Sequence, residues 1–268
     1  MKKEFSVKAW SIVSAGMDNE ADWCDWAKGN RELSQELPNV QLSRFPNRIS
    51  RRLDKLGKCV MFSAEQCLNQ LPKHVHPSII STSRHGDLPF MASLIRDVRS
   101  NEDISPTAFA YSVHNRFSSL VSMSFGFKGI NGAYSSTLDG FPLALAEAIS
   151  LLKKDPDTPV LILSYEPEIP PDYKALIKQS FKPHAGAFLL FSAEQSDIRY
   201  GLCRRREGVV TQAFSGPESM VSVKPYQPKS CQSEANASRG SCLSFVKTLM
   251  LGETVDDGHW QYFQAGYS

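Results

Sequence analysis

The chain has 268 residues, 41% of them apolar, enough for a substantial core in one large α/β domain or two small ones. Lysine and arginine number 30 against 28 aspartates and glutamates, and a formal net charge of +2 supplies no general attraction to nucleic acid or to an anionic membrane surface. Polar residues interrupt the basic start before a signal-length apolar run forms, and no stretch of about 18 apolar residues follows, so the expectation is a cytoplasmic protein without membrane insertion.

Phe5 to Val13 alternates loosely between apolar and polar positions and reads as a first strand. The tryptophans of Asp22-Trp23-Cys24-Asp25-Trp26 point to a short packed helix or a surface anchor. From Ser50 to Leu71 apolar residues recur at steps of three and four, the spacing of one helix face, which Pro72 closes. Ser78 to Thr82 reads as a buried strand and Phe90 to Val98 as a second amphipathic helix. Pro106 to Phe125 predicts one helix, ending at the chain reversal Gly126-Phe127-Lys128-Gly129. A strand over Gly132 to Ser136, which includes Tyr134, then leads to a strongly apolar helix starting near Pro142.

Pro159 to Ser164 and Gly186 to Phe191 are continuous apolar runs, as strands buried on both faces require. Strands separated by helices at these distances favour a layered, mostly parallel α/β sheet. After Gly201 the composition changes: Arg204-Arg205-Arg206 forms a basic cluster, and Gly216 to Gly240 is rich in Ser, Pro, Gln and Gly, as a loop would be. An amphipathic helix from Cys242 to Met250 and a short segment through Trp260 and Phe263 follow. The six cysteines have no Cys-x-x-Cys spacing, and His74-x-His76 has no ligand-type neighbour, so the thiols read as buried or idle and no metal or other cofactor is assigned.

Four of these landmarks, in this order, resemble the first half of the β-ketoacyl synthases. They are Arg51-Arg52-Leu53-Asp54-Lys55-Leu56-Gly57-Lys58, then Ser105-Pro106-Thr107-Ala108-Phe109-Ala110-Tyr111-Ser112-Val113-His114-Asn115 with Gly126 to Gly129, then Val160 to Glu166, then Ala185 to Leu190. The resemblance covers residues 5 to 195. It implies an α/β thiolase-like fold truncated to about its N-terminal half, layered α-β-α with a mostly parallel five-stranded sheet. Residues 1–200 would form that half, and residues 201–268 an extension packing on the same domain.

Complete synthases carry two histidines, one in a His-Gly-Thr-Gly-Thr motif, and a lysine in the second half, and no such motif occurs here. They also place a cysteine at a strand-to-helix elbow, where the helix N-terminus activates the thiolate. An ungapped reading puts Leu138 at that position, within Ser135-Ser136-Thr137-Leu138-Asp139-Gly140, and leucine cannot form a thioester. The resemblance therefore narrows to chain-length-factor-like subunits, as in bacterial aryl polyene pathways, which pair with a complete synthase. It implies no catalytic residue and a heterodimer with a full-length β-ketoacyl synthase, with an acyl carrier protein as indirect partner. An acyl tunnel and dimer interface would involve Phe109, Ser112, Val113, Phe117, Tyr134 and Leu138.

Phe109, Val113 and Phe117, at steps of four, also fit a plain core face. Arg204, Arg205 and Arg206 are a candidate dock for an acidic carrier protein, or simply solvated surface. Two further functions stay open. One is an acyltransferase or hydrolase using Ser136, Thr137 or Asp139 with His85 or His114, against which the missing Gly-x-Ser-x-Gly elbow counts. The other is a stand-alone acyl or carrier-protein binder.

Overall fold

A computed structural model describes residues 4–45, 47–136, 139–177, 182–195, 198–204, 241–257 and 260–265. Among these, the strands form one eight-stranded mixed sheet in the order β3-β2-β4-β5-β1-β6-β8-β7. The strands are β1 (Glu4–Val13), β2 (Ser78–Ser83), β3 (Asn131–Ser135), β4 (Val160–Glu166), β5 (His184–Ser192), β6 (Arg199–Arg204), β7 (Val255–Asp256) and β8 (Trp260–Ala265).

Five strands, mostly parallel, is therefore corrected to eight, of which only β3, β2 and β4 run parallel to one another. Parallel neighbours need a crossover of a dozen or more residues. Three helices, α4 (Leu88–Arg99), α5 (Pro106–Ala110) and α6 (Arg116–Phe125), lie between β2 and β3, and α7 (Gly140–Lys154) lies between β3 and β4. Beyond β4 the described pairings are antiparallel: β5 turns back along β4, and β1, β6, β8 and β7 continue the sheet. β6 runs across residue 200, so the first-half sheet continues into the later residues.

Alternation along the central strands divides the core. Val160 and Ile162 of β4 face α7 together with Phe141, Phe188 and Phe245. Leu161, Leu163 and Tyr165 face α3 (Lys55–Leu68) and α6 with Met61, Phe117 and Leu189. The first face is completed by α1 (Glu20–Ala27), whose two tryptophans are buried, and by α9 (Leu243–Leu251); a four-residue α2 (Asn47–Ser50) and α8 (Pro171–Lys174) lie in connections.

Local chemistry sets the helix starts. Asn19 and Asp22 form a capping box on α1, Asp54 accepts from the Gly57 N–H at 2.8 Å, and Asp87 caps α4 from just outside Pro89. The single helix predicted over 106–125 is corrected to two. The chain leaves the helix after Ala110 and resumes at Arg116, and the Ser112 hydroxyl donates to the Phe109 carbonyl at 2.7 Å in the break. A hydroxyl bonded to a nearby carbonyl competes with continuation of the helix.

Candidate functional site

A cavity of about 250 Å³ opens at the carboxyl ends of β2 and β4, the end at which open α/β sheets bind ligands. His85, Gly86, Asp87, Phe90 and Met91 line it from the start of α4, Tyr111, Ser112, Val113, His114, Arg116 and Phe117 from the broken segment and α6, and Tyr165 from β4. The helix break creates this wall, since a continuous 106–125 helix could not fold back over the strand ends.

Arg116 is 3% exposed and forms an ion pair with Asp87 through Nη1. Its guanidinium carbon stands 4.5 Å from the centre of the Phe90 ring, 5.1 Å from Phe117 and 5.3 Å from Tyr111. Burial pushes the Asp87 carboxyl up, the neighbouring Asp54 carboxylate pushes it further, and Arg116 pulls it back. Burial likewise raises the Tyr165 hydroxyl, so it stays protonated, and lowers His85, with Arg84 adding to the effect. The His114 ring lies against Gly86, where a Cβ would come within 3.3 Å of it.

A second buried polar group sits at the ends of β4 and β5. Glu166 accepts from the Arg84 backbone N–H at 2.8 Å, and burial raises its carboxyl to about 7. Opposite it in the β4–β5 register is His184, lowered to about 4 by burial, with Nδ1 at 2.8 Å from the Lys182 carbonyl. Both groups are held toward their neutral forms. The buried thiols of Cys59, Cys67 and Cys242 are all pushed up to about 12 by burial, which keeps them as unreactive S–H groups.

At the elbow between β3 and α7, Ser136 Oγ accepts from the Asp139 N–H at 3.2 Å, and Trp260 Nε1 donates to Asp139 Oδ1 at 2.9 Å. Both side chains thus hold the turn and tie β8 to it; neither lines the cavity that contains His85 and His114. Thr137 and Leu138 lie outside the described residues.

The structure brings together Ser112, Val113 and Phe117 of the predicted tunnel residues, all on the cavity wall. Phe117 is fully buried, with its ring edge-on to Tyr165 at 5.0 Å, which makes it a core residue as well. Phe109 is 68% exposed and Val113 50%, whereas Tyr134 is half-buried against the α7-side core. Arg204 ends β6; its side chain, and all of Arg205 and Arg206, lie outside the described residues.

Sequence reasoning passed over Arg116 and Tyr165. For Arg116 the signal was available, because it is the only Lys, Arg, Asp or Glu between Asp103 and Lys128. A lone charge in so apolar a stretch needs a buried partner.

The family model described as the N-terminal domain of β-ketoacyl synthase matches residues 23–245. No curated protein matches the chain. Among solved structures, one similar chain belongs to a ketosynthase (ApeO) in complex with its chain length factor (ApeC) from Xenorhabdus doucetiae, with 22% identity, a TM-score of 0.72 and 99% of each chain covered. The ishigamide ketosynthase/chain length factor matches with 14% identity and a TM-score of 0.60, over 76% of this chain and 68% of that one. A β-ketoacyl synthase from Burkholderia phymatum matches with 11% identity and a TM-score of 0.56, over 76% and 65%.

Proposed function

This chain belongs to the β-ketoacyl synthase N-terminal domain family, and from that membership we propose that it is a non-catalytic, chain-length-factor-like subunit that pairs with an active β-ketoacyl synthase. The observation that carries this reading is the open flank at β3. This strand ends the sheet order, so one of its edges has no described neighbour, and its residues are half-buried or exposed. Met123 of α6, the helix packed on β3, and Ile130, directly before its first residue, are each more than half exposed, and Phe109 and Val113 in and after α5 are at least half exposed as well. An open strand edge flanked by apolar side chains is a site for another chain, and pairing would satisfy its backbone groups. Pairs of a ketosynthase with a chain length factor among the solved fold relatives support this choice of partner.

In this reading Phe109, Ser112, Val113, Phe117 and Tyr134 belong to the interface and the tunnel wall. Leu138, standing where the family's synthases carry their cysteine, leaves condensation to the partner's thiolate. Residues 201–268 extend the first-half domain, and Arg204, Arg205 and Arg206 offer a dock for an acidic carrier protein in the cytoplasm. The product belongs to polyene or polyketide elongation, as in aryl polyene pathways, or to elongation of the fatty-acid type. A stable complex of this kind buries upward of about 2,000 Å² in total.

The test is co-expression with a full-length ketosynthase, followed by size-exclusion chromatography with light scattering and a condensation assay. A one-to-one complex whose activity depends on the partner's cysteine supports the proposal. A stable monomer that condenses or hydrolyses acyl substrates unaided overturns it.

A further inference from the structure

Arg116 is more deeply buried than its described partners require. Asp87 occupies Nη1, but Nε and Nη2 have no hydrogen-bond partner among the described residues. On a guanidinium these two groups project their N–H bonds in parallel along one edge, and that edge receives a carboxylate through two bonds. Buried donors left unmatched are costly, so such groups nearly always meet an acceptor. Arg116 lines the cavity, which is where an acceptor can come from.

We propose that the cavity at the heads of α4 and α6 binds a small organic acid, its carboxylate held by the Nε and Nη2 edge of Arg116 and its flat apolar body by the surrounding rings. Phe90, Tyr111, Phe117 and Tyr165 supply those rings. At about 250 Å³ the space lies below the roughly 300–1,000 Å³ of pockets that take drug-sized molecules, which restricts the ligand to a small one. The positive ends of α4 and α6, helices of 12 and 10 residues, open on the same cavity. Asp87 opposes a second negative charge, an opposition reduced as its carboxyl is driven toward the neutral form. It favours a monoanion over a phosphate dianion. The cavity shares Ser112, Val113 and Phe117 with the wall assigned to the pairing above, but every group that holds the acid belongs to this chain, so the unpaired chain suffices for the test.

The experiment is isothermal titration of the full chain, alone or in its complex, with benzoate, benzamide and inorganic phosphate. Benzoate is expected to bind at least tenfold more tightly than either of the others, and Arg116→Lys to weaken it tenfold or more, because an ammonium cannot reproduce the two-bond edge. If Arg116→Lys fails to fold, Val113→Trp decides the matter: it places bulk at a half-exposed residue of the cavity wall, and benzoate affinity should again fall tenfold. Equal binding of benzamide or phosphate, no binding of benzoate, or undiminished binding in a folded variant overturns the assignment.

Discussion

Strands β4 and β3 both run parallel to β2, one on each side of it, and they end differently. Every residue of β4 is buried, and β5 covers its far edge over seven register pairs from Val160–Leu190 to Glu166–His184. β3 has no buried residue, and its far edge has no described neighbour. Both have helices packed against them, so the difference lies in the edges: β4 is an interior strand, whereas among the described residues β3 ends the sheet on its side, as the two-residue β7 does on the other. The uncovered strand, with Met123 and Ile130 exposed next to it, gives the fold a direction in which it can be extended.

The largest effect should come from the interior strand. Leu161→Ala, at a residue with no exposure, should cost about 2–5 kcal/mol in urea unfolding through lost burial and the cavity left behind. Next comes the turn into β3. At Gly129 a Cβ would stand 2.7 Å from the Pro77 carbonyl oxygen, so Gly129→Ala should cost about 1–3 kcal/mol by forcing backbone to move. At Gly132, three residues on, the nearest atom is a Tyr134 ring carbon at 3.6 Å, and alanine should change stability by less than about 0.5 kcal/mol. Phe109→Glu should leave the urea midpoint of the isolated chain unchanged and weaken a synthase complex about tenfold, or roughly 1.4 kcal/mol. A loss of stability in the isolated chain would place Phe109 in this chain's own core and break the comparison.

The smallest effect is in the pH dependence at the covered edge of β4. Glu166 has its carboxyl raised from 4.5 to about 7, so between those values the native state binds the extra proton and stability falls as pH rises. His184 is lowered from 6.5 to about 4, so between those values the unfolded state binds the extra proton and stability rises with pH. In the shared window the two oppose each other, while Asp87, raised like Glu166, adds to the downward slope. Unfolding measured from pH 4.5 to 6.5 should therefore show a steeper fall with pH in His184→Gln than in the natural chain. In Glu166→Gln the slope should turn toward a rise. Parallel profiles in all three would remove the buried pair from the account of this edge.

Much of this architecture was legible because burial on both faces leaves a mark that needs no tertiary information. The runs Val160 to Ser164 and Gly186 to Phe191 could hardly be anything but central strands. The three-four spacing before Pro72 marked α3, although the helix keeps to Lys55–Leu68 rather than the predicted 50–71. Less was legible where one local pattern served two structures. The apolar residues of 106–125 fit one long helix, yet the chain breaks at 111–115 and sends Phe109 outward and Phe117 into the core. β6, with its alternating Tyr200 and Leu202, passed unnoticed because a short strand flanked by arginines reads like a loop.

The sequence by itself indicated the family, through motifs resembling it in the right order, and the layered α/β class and central strands, through periodicity and continuous apolar runs. Only the tertiary structure decided the direction of the strands beyond β4, the covering of both edges of β4 while β3 ends the described sheet, and the meeting of Asp87, Arg116 and Tyr165. Strand direction follows from where a connection returns, and a buried charge follows from which helix ends converge. Both depend on contacts between residues far apart in the chain: Asp87 and Arg116 stand 29 positions apart, and Tyr165 lies on another element.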